Sequence, residues 1–119
     1  MVSTVTPSTG DIIILNLDPI IGHEQGGIRP NVVVSVPTKQ RSGSSDFDLV
    51  ITVPLTRSRR NYWTVVPIKR QTGLDYDSYA LCHNIRTVST ERITNTTGTI
   101  DPRVLTKIRV VLKDVLSIL

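Results

Sequence analysis

Short runs of β-branched and apolar residues fill most of this chain, and they limit its possible folds more than any other feature. Each run is stopped by proline, glycine or a polar turn residue, which is typical of strands rather than helices. The predicted strands are Asp11 to Leu17, Val32 to Val36, Leu49 to Leu55, Thr64 to Ile68 and Tyr79 to Cys82, with His83 to Val88 continuing or bending the last one. Pro54, which lacks a backbone donor, predicts a strand end or a sheet edge. Ser89 to Ile93 predicts one capped helical turn, and Thr96 to Gly98 predicts a loop.

A single helical pattern follows at the C-terminal end. Asp101 is a good N-cap and Pro102 suits the first helical position, after which apolar residues recur at helical spacing as far as Leu119. These residues cover a sector of about 160°, which predicts a deeply packed helix. Short strands followed by one helix indicate the α+β class, as a compact antiparallel barrel.

Length and composition bound the remaining possibilities. The 119 residues predict a flexible lead over residues 1–9 and one domain over residues 10–119. No apolar run approaches the roughly 20 residues of a membrane span and no secretory signal is present, so the expected location is the cytoplasm. One cysteine and two histidines give no spaced set of metal ligands, so neither a metal nor a cofactor is expected. A net charge of +4 favours a polyanionic partner such as nucleic acid.

The loop from Gly22 to Pro30 has the composition of a site that handles a phosphodiester. Its imidazole, carboxylate, amide and guanidinium belong to His23, Glu24, Gln25 and Arg29. Gly26 and Gly27 would let backbone N–H groups approach a phosphate closely. Long loops in small domains often carry function, although a glycine pair beside arginine and proline is more often an ordinary turn.

RNA carries a 2′-hydroxyl that attacks the neighbouring phosphate when a base removes its proton and the developing charge is stabilised. That reaction needs no metal ion. Glu24 or His23 could be the base, Arg29 could stabilise the charge, and Thr56, at the end of the third predicted strand, could donate to the phosphoryl oxygens.

A basic loop with two aromatic residues follows Thr56 and consists of Arg57, Ser58, Arg59, Arg60, Asn61, Tyr62 and Trp63. Its aromatic rings could stack on the bases of unpaired RNA. The alternatives are that the arginines form a solvated surface and that Trp63 lies in the core. Similarly, His83 lies between apolar residues and could be structural.

Three motifs resemble those of the MazF/PemK (Kid) toxins of bacterial toxin–antitoxin systems. The first runs from Gly10-Asp11-Ile12 through Leu17-Asp18-Pro19 to Gly22-His23-Glu24-Gln25-Gly26-Gly27-Ile28-Arg29-Pro30. The second is Pro54-Leu55-Thr56 and the third is Asn84-Ile85-Arg86-Thr87. The resemblance covers about Gly10 to Leu119.

The resemblance implies a homodimeric SH3-like β-barrel with a packed C-terminal helix. It also implies a metal-independent endoribonuclease that cuts single-stranded mRNA and leaves 2′,3′-cyclic phosphate and 5′-hydroxyl ends. Arg29 and Thr56 match the principal catalytic residues of the family. Glu24 is the first choice of base, His23 the second and His83 the third. One branch of the family uses an arginine and an aspartate at the positions of Leu81 and His83, so that pair is absent here in its usual form.

The residues expected to bind RNA are Gln25, Gly26, Gly27, Arg57, Ser58, Arg59, Arg60, Trp63, Asn84 and Arg86. The implied protein partner is a cognate antitoxin with an acidic tail, and the toxin–antitoxin complex would bind DNA.

The sequence leaves two other functions open. A CcdB-like gyrase poison is disfavoured because such toxins end in Trp-Gly-Ile, whereas this chain ends in Leu116-Ser117-Ile118-Leu119. The second alternative function is that of a noncatalytic barrel that binds RNA.

Overall fold

The computed structural model describes residues 6–17, 28–37 and 48–118, and these parts of the chain contain seven strands and one α-helix. The strands are β1 (Asp11–Asn16), β2 (Ile28–Ser35), β3 (Leu49–Thr56), β4 (Val65–Ile68), β5 (Ser78–Leu81), β6 (Arg86–Ser89) and β7 (Ile93–Thr99). The helix, α1, is Pro102–Val115. Strands β1 to β6 lie close to their predicted positions because the β-branched runs and their stop signals coincide.

The strands form one antiparallel sheet in the order β4-β5-β3-β2-β1-β7, and β6 also pairs with β3. β3 is central, since it pairs with β2 along one side and with β6 and then β5 along the other. β3 therefore links the β4–β5 pair to the remaining strands. The α+β class and the small, SH3-like antiparallel barrel with a C-terminal helix are therefore confirmed.

Pro54 lies inside β3 and is buried, so the expected strand end or sheet edge is wrong. The β6 pairing ends at Thr52 and the β5 pairing begins at Leu55. Pro54 therefore occupies the change of partners, where a missing backbone donor interrupts neither ladder.

The core consists of two apolar clusters on opposite faces of β1 and β2. Ile12 and Val32 belong to the cluster that α1 covers, whereas Ile13 and Val33 belong to the other. Neighbouring residues of a strand point to opposite faces, so both faces of these strands are buried. The same burial explains why Ile12 to Leu15 is an uninterrupted apolar run.

Helix α1 begins as its sequence predicts, with the Asp101 side chain accepting a hydrogen bond from the Arg103 backbone N–H at 2.8 Å. The expected deep packing is wrong for this chain. Ile108 and Leu112, one turn apart, are the buried residues of the helix, whereas Leu116, which was expected to pack, is 49% exposed. One side of the helix lies on β4 and on the 3₁₀ turn Cys82–Asn84 that follows β5. A single row of apolar side chains along the helix is enough to make this contact.

Two further local expectations have different outcomes. Thr90 to Arg92 forms the predicted single turn, and the Ser89 hydroxyl caps it by accepting from the Glu91 N–H at 3.2 Å. The predicted loop over Thr96 to Gly98 is instead part of β7, which pairs with β1 through two register shifts. Tertiary pairing overrides the turn composition there. No helix in the described residues is long and apolar enough to cross a membrane.

Candidate nuclease site

Strand register brings Arg29 and Thr56 together. In the β2–β3 ladder Asn31 lies opposite Pro54 and Val32 opposite Val53. Arg29 and Thr56 each lie two residues beyond the last pair of this ladder, Asn31 and Pro54, at the same end of the two antiparallel strands. Arg29 is the second residue of β2 and Thr56 is the last residue of β3. Two positions distant in sequence therefore become neighbours at one end of the strand pair.

Both side chains line one cavity of about 480 Å³, here called the Arg29–Thr56 cavity. Ile14, Pro30 and Leu55 supply apolar wall, and the turn from Gly73 to Tyr76 lines it further, together with Ile28, Arg57, Ser78 and Thr97. An apolar wall beside a guanidinium and a hydroxyl suits a ligand that combines an anion with a flat, weakly polar group. A nucleotide has both parts.

The Thr56 hydroxyl is held by its own turn. It accepts a hydrogen bond from the Ser58 backbone N–H at 3.2 Å. A hydroxyl that accepts in this way still has its proton to donate. Thr56 can therefore donate to an anionic oxygen in the cavity while the turn fixes its orientation.

A buried polar pair lies beneath Arg29. The Asn31 amide nitrogen donates to the main-chain carbonyl of Arg29 at 3.3 Å, and the Thr52 hydroxyl donates to the Asn31 amide oxygen at 3.1 Å. Asn31 and Thr52 are both fully buried. Sequence reasoning missed this pair, although an asparagine at the start of a run of valines was a visible signal.

Five of the expected site residues lie outside the described residues. They are His23, Glu24, Gln25, Gly26 and Gly27. Their roles stay predictions. β2 begins at Ile28, directly after this segment.

The basic loop after β3 is exposed from Arg57 to Trp63. Arg57 lies on the cavity wall, where its guanidinium carbon is 4.4 Å from the centre of the Tyr76 ring. Ser58, Arg59 and Arg60 continue along the surface. Trp63 is 67% exposed, so the alternative that it belongs to the core is wrong.

His83, Asn84 and Arg86 are not brought to the Arg29–Thr56 cavity, since none of them lines it. His83 lies in the 3₁₀ turn after β5, with its Nδ1 2.6 Å from the Thr64 hydroxyl and its ring edge-on to Tyr62. Its suggested part in catalysis has no support in this geometry. The alternative, a structural hydrogen-bonding residue, fits these contacts.

Sequence reasoning also missed Gly73, Asp75 and Tyr76, which line the cavity. An aromatic residue between two aspartates, just after a glycine turn, was the available signal. In the described residues, no group of three or more His, Cys, Asp or Glu side chains could hold a metal ion.

Comparison with known proteins identifies the family of the chain. The family described as "PemK-like, MazF-like toxin of type II toxin-antitoxin system" matches residues 8–116. The chain belongs to this toxin family. Endoribonuclease EndoA of Bacillus subtilis is 28% identical over 99 residues, which cover 83% of this chain and 84% of that protein.

Solved structures of the family share the fold. A MazF crystal structure from Deinococcus radiodurans is 25% identical, with a TM-score of 0.78 over 96% of this chain and 99% of that one. A mycobacterial endoribonuclease in complex with its cognate antitoxin is 24% identical, with a TM-score of 0.76 over 96% and 98% of the two chains. The toxin fold therefore extends over nearly the whole sequence.

Proposed function

We propose that this MazF-like toxin is an endoribonuclease that cuts single-stranded mRNA within the Arg29–Thr56 cavity and so inhibits translation. The convergence of Arg29 and Thr56 on one cavity carries the proposal. Membership of a toxin family and similarity to an endoribonuclease of Bacillus subtilis support the activity. They favour it over the gyrase poison and over the noncatalytic RNA-binding barrel.

The chemistry is transfer of the phosphate to the neighbouring 2′-oxygen. The 2′-oxygen forms a bond to phosphorus as its proton passes to a base, and the bond from phosphorus to the 5′-oxygen breaks. The products are a 2′,3′-cyclic phosphate and a 5′-hydroxyl. No metal ion and no cofactor takes part in this scheme.

Arg29 stabilises the negative charge that develops on the phosphoryl oxygens and can supply the proton to the leaving oxygen. Thr56 orients the phosphate by donating its hydroxyl proton, with its oxygen fixed by the Ser58 N–H. Glu24 is the proposed base and His23 the second choice. His83 is the weakest candidate because it lies with Tyr62 and Thr64 and does not line the cavity.

The proposed RNA-binding surface extends from the cavity along the basic loop. Arg57, Ser58, Arg59 and Arg60 would contact the backbone, and the exposed Trp63 ring offers a stacking surface for an unpaired base. Gln25, Gly26 and Gly27 would contact the phosphate, and Asn84 and Arg86 would extend the surface. We place the activity in the cytoplasm, where mRNA is found.

The protein partner is a cognate antitoxin, as in the mycobacterial complex to which this chain is similar. An acidic, partly disordered antitoxin tail would complement the net charge of +4 and would cover Arg29 and Thr56. The functional unit is proposed to be a homodimer, and the complex with antitoxin is proposed to bind DNA.

The test uses the purified protein and end-labelled RNA. We expect cleavage in the presence of EDTA, cyclic phosphate ends, and no cleavage of an oligomer that carries 2′-deoxyribose at the cut site. Arg29→Ala is expected to lower kcat by about 100- to 1000-fold because it removes a charge-stabilising donor. Thr56→Val is expected to lower it by a smaller factor.

Arg109→Gln is the control, since it removes an exposed cation on α1 that does not line the cavity. Full activity of Arg29→Ala, or equal cleavage of RNA and DNA, would show the assignment to be wrong. Sequencing the ends cut from a transcript pool would give the recognised sequence.

A further inference from the structure

A second cavity adjoins the Arg29–Thr56 cavity. It measures about 770 Å³ and is lined by Arg57, Lys69, Arg70, Asp75, Tyr76 and Asp77; it is called the outer cavity below. Arg57, Asp75 and Tyr76 line both cavities. A strand of RNA with its scissile phosphate beside Thr56 can therefore continue into the outer cavity across this shared wall.

The shared wall is a stacking platform. The Arg57 guanidinium carbon lies 4.4 Å from the centre of the Tyr76 ring, and Tyr76 is 59% exposed. The guanidinium lies over the ring. A flat base can stack on the Arg57–Tyr76 pair, as unpaired bases do on arginine and tyrosine side chains. Stacking on tyrosine also holds the long Arg57 side chain in place.

The charges of the outer cavity are mixed. Lys69 and Arg70, which follow β4, are exposed cations that can meet a phosphate. Asp75 and Asp77 are carboxylates, which only accept hydrogen bonds. One oxygen of Asp77 accepts from the Arg70 backbone N–H at 2.8 Å, which fixes that carboxylate at the wall. Its second oxygen can accept from a ligand.

We propose that the outer cavity binds the RNA nucleotide next to the scissile phosphate and selects a base that carries an amino group. The base stacks on the Arg57–Tyr76 pair, Lys69 and Arg70 meet its phosphate, and a carboxylate of Asp75 or Asp77 accepts from the amino group. Adenine, cytosine and guanine have that donor. Uracil has no amino group, and the two carbonyl oxygens that flank its N3–H would be repelled by the carboxylates. This inference rests on the proposed nuclease function and adds a specificity site to it.

The same features argue against an acidic peptide as the occupant. Its carboxylates could meet Lys69 and Arg70 as a phosphate does, but it offers no flat base for the Arg57–Tyr76 pair. A nucleotide, by contrast, uses all three kinds of group in the cavity, namely the stacked pair, the cations and the acceptors. RNA is therefore the occupant that the stacked pair and the acceptors, together with the cations, favour.

The first test compares Tyr76→Leu with Tyr76→Phe. The measured quantity is kcat/KM for an oligomer of about ten nucleotides divided by kcat/KM for a dinucleotide that contains only the scissile linkage. We expect Tyr76→Leu to lower this ratio by about tenfold, through KM, because a stacking surface is lost. Tyr76→Phe keeps the ring and is expected to keep the ratio. Thermal unfolding of each variant checks that the exposed substitution leaves the fold intact.

The second test concerns charge and base choice. Arg70→Gln is expected to raise KM for the oligomer and to reduce the salt dependence of binding, whereas Arg109→Gln on α1 should do neither. Asp75→Asn is expected to relax discrimination against uracil by about tenfold at a single position beside the cut, because a charged acceptor is lost. Sequencing cut ends from a transcript pool measures this.

The outcomes separate the two proposals. If the wild type cleaves RNA but Tyr76→Leu leaves both the ratio and the base preference unchanged, the outer cavity is not a nucleotide site, and the nuclease assignment stands. If the wild type cleaves no RNA, the nuclease proposal fails. The affinity of the wild type and of Tyr76→Leu for a fully 2′-deoxy analogue of the oligomer then tests the cavity separately. Weakened binding of poly-glutamate by Tyr76→Leu, with RNA affinity unchanged, would assign the cavity to an acidic peptide and overturn the inference.

Discussion

The buried pair of Asn31 and Thr52 offers a direct test of how the fold supports the site. Both side chains are fully buried, and the Thr52 hydroxyl donates to the Asn31 amide oxygen at 3.1 Å. Thr52→Val keeps the branched shape suited to a strand but removes this donor. The Asn31 oxygen then stays buried without its partner, which costs about 1–3 kcal/mol of unfolding free energy.

The expected change in melting temperature follows from chain length. For 119 residues the entropy of unfolding is about 0.25 kcal/mol/K, so a loss of about 2 kcal/mol lowers Tm by about 8 °C.

Asn31→Leu should lower the free energy of unfolding by a similar amount, because it leaves the Thr52 hydroxyl buried without its acceptor. The double variant removes both polar groups together and should lose at least about 1 kcal/mol less than the sum of the two single losses. Denaturant and thermal unfolding at equal protein concentrations measure all four proteins.

Activity provides a second readout. Asn31 also donates to the Arg29 carbonyl at 3.3 Å, and the double variant lacks that anchor. We therefore expect the double variant to recover stability but to keep a kcat below that of the wild type, with KM less affected. A cost for Thr52→Val below about 0.5 kcal/mol, or additive losses in the double variant, would refute the reasoning that the two groups satisfy each other.

Three further predictions concern single positions. Gly73 has a φ of +93° and Gly10 a φ of +94°. An added Cβ at Gly73 would lie 2.8 Å from the Thr97 carbonyl oxygen, whereas an added Cβ at Gly10 would have its nearest neighbour 3.6 Å away. Gly73→Ala should therefore lower Tm clearly more than Gly10→Ala, which costs only the strain of the left-handed backbone, and equal losses would contradict this. The Asp101 side chain caps α1 and its pKa lies below the ordinary value of 3.8 because of hydrogen bonds from Arg103. The stability that the charge of Asp101 contributes is present above pH 3.8 and is lost as the pH falls through the lowered pKa. Asp101→Ala should therefore lower Tm at pH 7 and have less effect near pH 2. Asp101→Asn should retain much of the cap, because its side-chain oxygen can still accept the hydrogen bond. Burial raises the pKa of the Cys82 thiol from 9.0 to about 11, so stability from the protonated thiol is present below pH 9 and is lost as the pH rises toward 11. The Tm advantage of wild type over Cys82→Ala should shrink across that interval, and a constant difference would contradict the assignment.

Local sequence signals predicted the elements that depend on local chemistry. The helix start at Asp101 and Pro102, and the turn capped by Ser89, are in place because capping requires only neighbouring backbone groups. The same reasoning failed at Thr96 to Gly98 and at Pro54, where pairing with other strands decides the structure. It also overstated the packing of α1, because apolar spacing gives the width of a face but not how much of that face this chain covers.

The amino-acid sequence by itself determined most of the strand positions, the capped helix and the chemical groups at Arg29 and Thr56, because β-propensity, capping and side-chain chemistry act over a few residues. Only the tertiary structure decided that those two groups share a cavity, since the register of β2 against β3 sets which distant residues meet. It also decided that Arg57 stacks on Tyr76 and that Asn31 pairs with Thr52 beneath Arg29. Such contacts join residues about 20 positions apart, and no local pattern in the chain encodes them.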